Sequence, residues 1–476
     1  MLVLRRWSVR HARFLRELYA LGEAIAAALV PLARLVPQRL LTAFVRPVER
    51  VAKQAFFDCH MCGQCALSHT GMACPMNCPK ELRNGPCGGV RADGTCEVKP
   101  EMPCVWLEIG KGVAAVGGAA CSNARLLPVD RHLEGDSTWV QMLTGQLARV
   151  DDVVALTERP QARASASPLQ AACHSGRPVV TVEIGPPDSA DPAAFVQRAN
   201  LFRGLVDAIN VTDGAGGNCH MSSVAAAAIL VREGLVPVAQ VTCRDRNRIA
   251  IQGDVLGAAA LGVDNFLCLT GDDVTAGDQP AAKRVFDLDA VNLVTTLVGM
   301  RDRAAFASGR KIEVPPDLFV GATCNPFAPP FEARVDNLER KIAAGAQFIQ
   351  TQFCFDVGLM EQFMAKVRER GLHRRATIIV GAGMLPTAKG LAWMAHHVPG
   401  VHVPEALIAR IAAATDQRGE GIAAAAEIIV RLSQIDGVGG FHLMGHRNER
   451  MLAEIIERAG ITPPQSQPRQ KDVRHG

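Results

Sequence analysis

Between residues 178 and 459 short runs of β-branched and other apolar residues alternate with longer stretches in which apolar residues recur at intervals of three and four. The short runs, read as strands, are 178–184, 207–212, 236–242, 264–270, 318–323, 347–353, 376–381 and 439–444. Helical periodicity marks the intervening segments, clearest over 285–301, 334–344, 358–370 and 447–459. Eight strand–helix units are what closes a parallel (β/α)8 TIM barrel of about 250 residues. A doubly wound open sheet would carry a glycine-rich dinucleotide fingerprint at a strand-to-helix turn, and none is present. The fold class expected is therefore α/β, a TIM barrel over residues 177–463.

In such a barrel chemistry sits at the carboxyl ends of the strands. The polar residues closing these strands are Glu183, Thr212 with Asp213, Thr242, Asp272 with Asp273, Asn325 and Gln352. Cys243, Cys268, Cys324 and Cys354 lie in or just after strands and read as small buried fillers.

Ahead of the barrel, eight of the chain's fifteen cysteines crowd into one stretch: Cys59, Cys62, Cys65, Cys74, Cys78, Cys87, Cys96 and Cys104. The first three follow a C-x2-C-x2-C spacing, and Pro75 and Pro79 follow Cys74 and Cys78 as proline follows a ligand in bacterial ferredoxins. Eight thiolates supply two four-cysteine sites, read as two [4Fe–4S] clusters. Two structural zinc ions are the alternative, although zinc ribbons usually present separated C-x2-C pairs. A disulfide framework is disfavoured, since no secretion signal precedes the cysteines. His60 and His69 are read as bystanders.

Residues 1–53 hold ten Lys or Arg against three acids, a local balance of +7, while the whole chain carries only +4. No basic stripe interleaves with aromatics, so nucleic acid is not expected as a partner. The apolar stretch from Leu18 to Val36 is interrupted by Glu23, Pro31 and Arg34 before it reaches the roughly 20 clean residues that a span requires. It reads as amphipathic helix, with no integral membrane span and a cytoplasmic location. These helices would pack on the cysteine region or offer a surface to a redox partner or an anionic membrane. The domain plan expected is basic helices over 1–56, a cysteine-rich domain over 57–157, an Ala/Ser/Pro-rich linker over 158–176, the barrel over 177–463 and a polar tail over 464–476.

The barrel resembles methylenetetrahydrofolate reductase through six segments in order: Val182-Glu183-Ile184-Gly185-Pro186-Pro187, Val211-Thr212-Asp213-Gly214-Ala215, Leu269-Thr270-Gly271-Asp272, Asn337-Leu338-Glu339-Arg340-Lys341, Ala344-Gly345-Ala346 and Thr351-Gln352-Phe353-Cys354-Phe355-Asp356. The front resembles the small iron–sulfur subunit of acetogen-type forms of that enzyme, through the run from Cys78 to Gly89, Pro128-Val129-Asp130 and Ser137-Thr138-Trp139.

The resemblance implies a flavin-dependent reduction of 5,10-methylenetetrahydrofolate to 5-methyltetrahydrofolate. Electrons would come from a one-electron donor, such as a ferredoxin or a redox partner subunit, through the clusters. It gives Glu183 the role of acid and sets Asp272 near flavin and pterin. Gln352 would bind the folate, and Thr212, Asn337, Arg340 and Lys341 would contact the flavin. Opening the imidazolidine ring of the substrate requires a proton at a ring nitrogen, which a carboxylic acid kept protonated in an apolar mouth can supply.

Thr270 stands where the family has an arginine, and Arg334 where it has an acid that helps hold an adenosine. The only tyrosine, Tyr19, lies outside the barrel, with Phe286 the counterpart of a flavin-contacting tyrosine. These departures favour FMN over FAD. A homo-oligomer is expected. Two other readings remain open: a folate-binding barrel for methyl transfer or demethylation, and a zinc-stabilised binding module.

Overall fold

The structure, a computed structural model, describes residues 2–118, 124–145, 153–155 and 167–464. Three helices open it: α1 (Leu2–Arg10), α2 (Ala12–Ala33) and α3 (Gln38–Phe57). The cysteine-rich stretch that follows is mostly irregular and leads into α4 (Val105–Ala115), β1 (Ala124–Leu126), α5 (Thr138–Thr144) and β2 (Val153–Ala155), which pairs antiparallel with β1. A stretch so poor in regular structure needs packing from outside. Ala12 of α2 and Phe57 of α3 supply it, clustering with Leu67, Met72, Met76 and Val129, while a buried ion pair from Arg5 to Glu108, at 2.7 Å, ties α1 to α4.

Next come α6 (Pro168–Cys173), β3 (Val179–Ile184), α7 (Ala193–Asn200), β4 (Ala208–Val211), α8 (Ser223–Arg232), β5 (Pro237–Thr242), α9 (Arg248–Ala260), β6 (Asn265–Leu269) and α10 (Ala290–Asp302). The chain continues through β7 (Phe319–Cys324), α11 (Phe331–Ala344), β8 (Phe348–Phe353), α12 (Val357–Glu369), β9 (Thr377–Gly383), α13 (Ala388–His397), α14 (Glu405–Ala413), α15 (Gln417–Leu432), β10 (Val438–Met444) and α16 (Glu449–Ala459). Strands β3 to β10 run parallel and close when β10 pairs with β3, giving the expected TIM barrel. Each expected strand overlaps one of these eight. Cys243, Cys268, Cys324 and Cys354 are buried in the core, as read.

One boundary is corrected. Residues 168–173, placed in the linker on composition, form α6, and its Leu169 is fully buried beneath the barrel among Val179, Ala208, Phe319 and Phe348. Burying a leucine contributes about 2 kcal/mol, enough to make α6 the floor of the barrel rather than a tether. The Phe319 and Phe348 rings stack at 4.9 Å in this floor. Gly321 leaves the room they need, because a Cβ there would meet the Phe348 ring at 2.4 Å. The polar tail from 465 onward lies outside the described residues, as does most of the linker before 167. Among the described residues no helix is long and apolar enough to cross a membrane.

Candidate functional site

Strand alternation sends one side chain in two into the barrel, and here several of those are polar and buried. Asn210 (β4) and Gln350 (β8) exchange amide hydrogen bonds at 2.7 and 3.1 Å, and Gln350 Nε2 also donates to Thr181 Oγ1 of β3 at 3.1 Å. Thr181 Oγ1 is in turn hydrogen-bonded with His442 Nδ1 of β10, 2.9 Å away. His442 Nε2 faces Glu183 Oε2 at 3.8 Å, and Gln240 Nε2 of β5 donates to the same oxygen at 2.9 Å. A chain of polar groups therefore climbs from the barrel interior to the half-exposed Glu183 at the mouth.

This corrects the apolar setting expected for Glu183. Burial pushes its carboxyl up, but hydrogen bonding and charge from His442, the Gln240 amide and the charge of His446 outweigh burial, so the net shift is downward. Glu183 without substrate is a carboxylate with a proton-bearing neighbour, not a stored acid.

The other expected site residues are distributed unevenly. Asp272, exposed beyond the end of β6, accepts from Gly216 N at 2.9 Å. Gln352, half-buried at the end of β8, turns its Oε1 to the Phe353 N–H at 2.9 Å. Thr212 is buried just after β4. These three and Glu183 lie at the carboxyl ends of their strands, on one side of the barrel.

Asn337, Arg340 and Lys341 are placed otherwise. Asn337 Nδ2 donates to the Asn84 and Gly85 carbonyls, both at 3.3 Å, Arg340 Nη2 donates to Gly85 O at 2.7 Å, and Lys341 Nζ donates to Thr323 O at 2.6 Å. All three are buried. Arg334, at 3% exposure, grips the carbonyls of Cys87, Ala328 and Pro329. The face of α11 that the resemblance assigns to a flavin phosphate is thus occupied by the backbone of residues 84–87, and these side chains do not fit the phosphate end of FMN or FAD. Gly85 makes the approach possible, since a Cβ on it would strike the Trp106 indole at 2.4 Å. Phe286 is covered as well, with Lys80 Nζ 5.7 Å from its ring centre.

The same loop carries the cysteines, which separate into two cavities. Cys59, Cys62, Cys65 and Cys74 line one. Cys78, Cys87, Cys96 and Cys104 line the other. Among the described residues no three His, Cys, Asp or Glu side chains are gathered as they would be around a bound metal ion.

Buried cations attend both cavities. Arg83, at 2% exposure, lines the first, and its Nε and Nη2 have no hydrogen-bond partner. Lys53 sits 3.5 Å from Cys65 Sγ while paired with Glu49, and Tyr19 donates to that sulfur at 3.4 Å. At the second cavity Lys80 pairs with Glu97 and donates to Gly271 O at 2.7 Å, reaching the barrel mouth next to Asp272. Burial pushes the Cys59 thiol up to about 11 and Cys104 to about 12. Thiols so raised keep their protons unless a metal displaces them. A buried guanidinium with two unpartnered nitrogens beside four cysteines fits an anionic, thiolate-ligated group.

Sequence reasoning passed over His442, Gln240, Arg83 and Lys80. The only signal for His442 was an imidazole within an otherwise apolar strand; the buried cations carried none, because their partners are remote in the chain.

A closed parallel barrel whose mouth presents a carboxylate, an amide and an imidazole from different strands is an enzyme of the TIM-barrel class. The model of the family described as methylenetetrahydrofolate reductase matches residues 168–460, and that of a domain described as methylene-tetrahydrofolate reductase C terminal matches residues 40–130, which hold all eight clustered cysteines. The chain belongs to the methylenetetrahydrofolate reductase family and is an oxidoreductase acting on methylenetetrahydrofolate. Among solved structures it is similar to an uncharacterized protein from Clostridium thermocellum that binds two copies of 5-methyl-5,6,7,8-tetrahydrofolic acid, at 14% identity and a TM-score of 0.42, covering 61% of this chain and 96% of that one. It is also similar to DmoA from Hyphomicrobium sulfonivorans, at 9% identity and a TM-score of 0.37, covering 60% and 87%.

Proposed function

We propose that the protein reduces 5,10-methylenetetrahydrofolate to 5-methyltetrahydrofolate at the barrel mouth, with electrons entering through its cysteine-rich domain. The observation that carries this reading is the second four-cysteine cavity, docked through Lys80 and Gly271 against the mouth that holds Asp272 and Glu183. Cys59, Cys62, Cys65 and Cys74 would hold one iron–sulfur cluster and Cys78, Cys87, Cys96 and Cys104 the other. Such clusters, when bound, carry electrons one at a time.

The substrate's imidazolidine ring opens when a proton reaches N10, leaving an iminium between N5 and the methylene carbon. Two electrons and a proton then convert that carbon to a methyl group. From His442 as an imidazolium, the Nε2 proton would pass to Glu183 and from there to N10, leaving a neutral imidazole, and binding of the apolar pterin face strips water from Glu183, raising its affinity for that proton. Asp272 favours the cationic iminium through its charge, and Gln352 orients the pterin by its amide. With Asn337 and Arg340 committed to the docked loop and Lys341 to Thr323 O, Thr212 and Asp272 are the residues left to meet a flavin ring. A flavin, when bound, would pair single electrons into a hydride.

The test is anaerobic. Iron and acid-labile sulfide should be present in near-equal amounts, and reduction by a one-electron donor should support formation of 5-methyltetrahydrofolate. Stoichiometric zinc without sulfide would remove the electron path and favour the zinc-stabilised module.

A further inference from the structure

The amino-terminal hairpin leaves a continuous apolar surface uncovered. On α2, Phe14, Leu18, Leu21, Ile25, Leu29 and Leu32 follow one another at intervals of three and four, and each is between 43% and 65% exposed. On α3, Leu40, Phe44, Val48 and Val51 repeat the pattern at 50% to 75% exposure, and Leu35, at 81%, caps the turn between the two helices. The opposite sides of these helices pack on the cysteine domain through Ala12, Leu15, Tyr19 and Phe57. The stripe is therefore not the side that holds the fold together. Large side chains so exposed in one contiguous strip mark an interaction surface.

Charge decides what covers it. Of the ten basic residues in 1–53, Arg5 and Lys53 are buried in ion pairs with Glu108 and Glu49, and the other eight are exposed. Of the three acids, only Glu17 and Glu23 are left outside. At 3.6 residues per turn, Arg39, Arg46 and Arg50 fall together about 135° around α3 from the middle of its apolar stripe, at the margin of its exposed face. A second copy of this chain would set arginines against arginines. An exposed apolar stripe with eight exposed arginines around it in the same segment, on helices unable to span a bilayer, matches instead a surface that lies in the plane of a lipid interface, with its cations reaching anionic headgroups.

We infer that the α2–α3 hairpin seats the protein on an anionic lipid surface. Arg46 and Arg50 also line the opening beside Cys59 and His60, so the seated hairpin holds the entrance to the first cysteine cavity at lipid level. The lipid contact itself does not depend on what the cysteines bind.

Full-length protein should co-sediment with vesicles of phosphatidylcholine and phosphatidylglycerol. Binding to phosphatidylcholine alone should be at least roughly tenfold weaker, and high salt should weaken binding to the mixed vesicles. The double substitution Leu35→Gln/Phe44→Gln should cut binding roughly tenfold or more while leaving the thermal midpoint unchanged, because both side chains are already in water. Arg39→Gln/Arg46→Gln should remove much of the salt-sensitive part. Absence of binding to anionic vesicles at low salt would overturn the inference, as would equal binding by the Leu35/Phe44 variant. A stoichiometric protein dimer that blocks vesicle binding and dissociates in that variant would also overturn it, assigning the stripe to a protein partner.

Discussion

Replacing Arg83 with Met should change the sign of its effect with the state of the first cysteine cavity. The guanidinium is 2% exposed, lines the cavity with Cys59, Cys62, Cys65 and Cys74, and leaves Nε and Nη2 unpartnered, its nearest acceptor being Gln64 O at 3.5 Å from Nη1. Among the described residues it has no carboxylate partner. In cluster-free protein it is therefore a buried charge without compensation, and Arg83→Met should stabilise this domain by on the order of 2 kcal/mol. In loaded protein the same charge faces an anionic group. At an effective dielectric constant of about 20 and a separation of roughly 6 Å, one unit of charge contributes about 3 kcal/mol. Losing it should lower the midpoint potential of one cluster by roughly 0.1 V. Anaerobic potentiometry followed by electron paramagnetic resonance reads the potential, and thermal melts of the cluster-free form read the stability. Two unmoved midpoints, or a destabilised cluster-free variant, would refute the reasoning.

Glu183→Gln should reduce folate turnover roughly a hundredfold to ten-thousandfold while leaving reduction of the cysteine domain by dithionite unchanged, which stopped-flow measurement of the two steps separates. Glu183 has a folded pKa below its unfolded one, so the stability it contributes is complete above the unfolded value of about 4.3 and is lost as pH falls through the folded value. In His442→Leu burial is opposed by less, the folded pKa rises and the loss begins at higher pH; superimposable acid limbs in urea midpoints would contradict this. Arg340→Met should cost about 2 kcal/mol of unfolding free energy through its charged hydrogen bond to Gly85 O. A variant that kept its stability but lost bound flavin would return Arg340 to the phosphate role.

The eight barrel strands were legible because each is a short apolar run bounded by polar residues, and burial within a parallel sheet requires just that composition. Helix α6 was not, since six residues are too short to show a period and its worth lies in one leucine reaching the barrel floor. The strand-end positions of Glu183, Asp272 and Gln352 followed from register. The surroundings of Glu183 did not, because His442 and Gln240 arrive from strands far off in the chain. The cysteine spacing led to an expectation of two four-cysteine sites; that the first four line one cavity and the last four another is a property of the folded loop. The segment from Asn337 to Lys341 was recognisable in composition and misread in role. Its hydrogen-bond partners are backbone carbonyls of residues 84, 85 and 323, and a carbonyl leaves no mark in a sequence.

The central claim is that electrons held in the cysteine domain reach folate at Glu183. Full-length protein, reduced anaerobically and freed of reductant, should be mixed with 5,10-methylenetetrahydrofolate and the products separated by chromatography. 5-Methyltetrahydrofolate should form as the cluster absorbance returns, and in Glu183→Gln both should be slowed at least roughly a hundredfold. Reoxidation without methyl product, or an equal rate in the Glu183 variant, would contradict the claim.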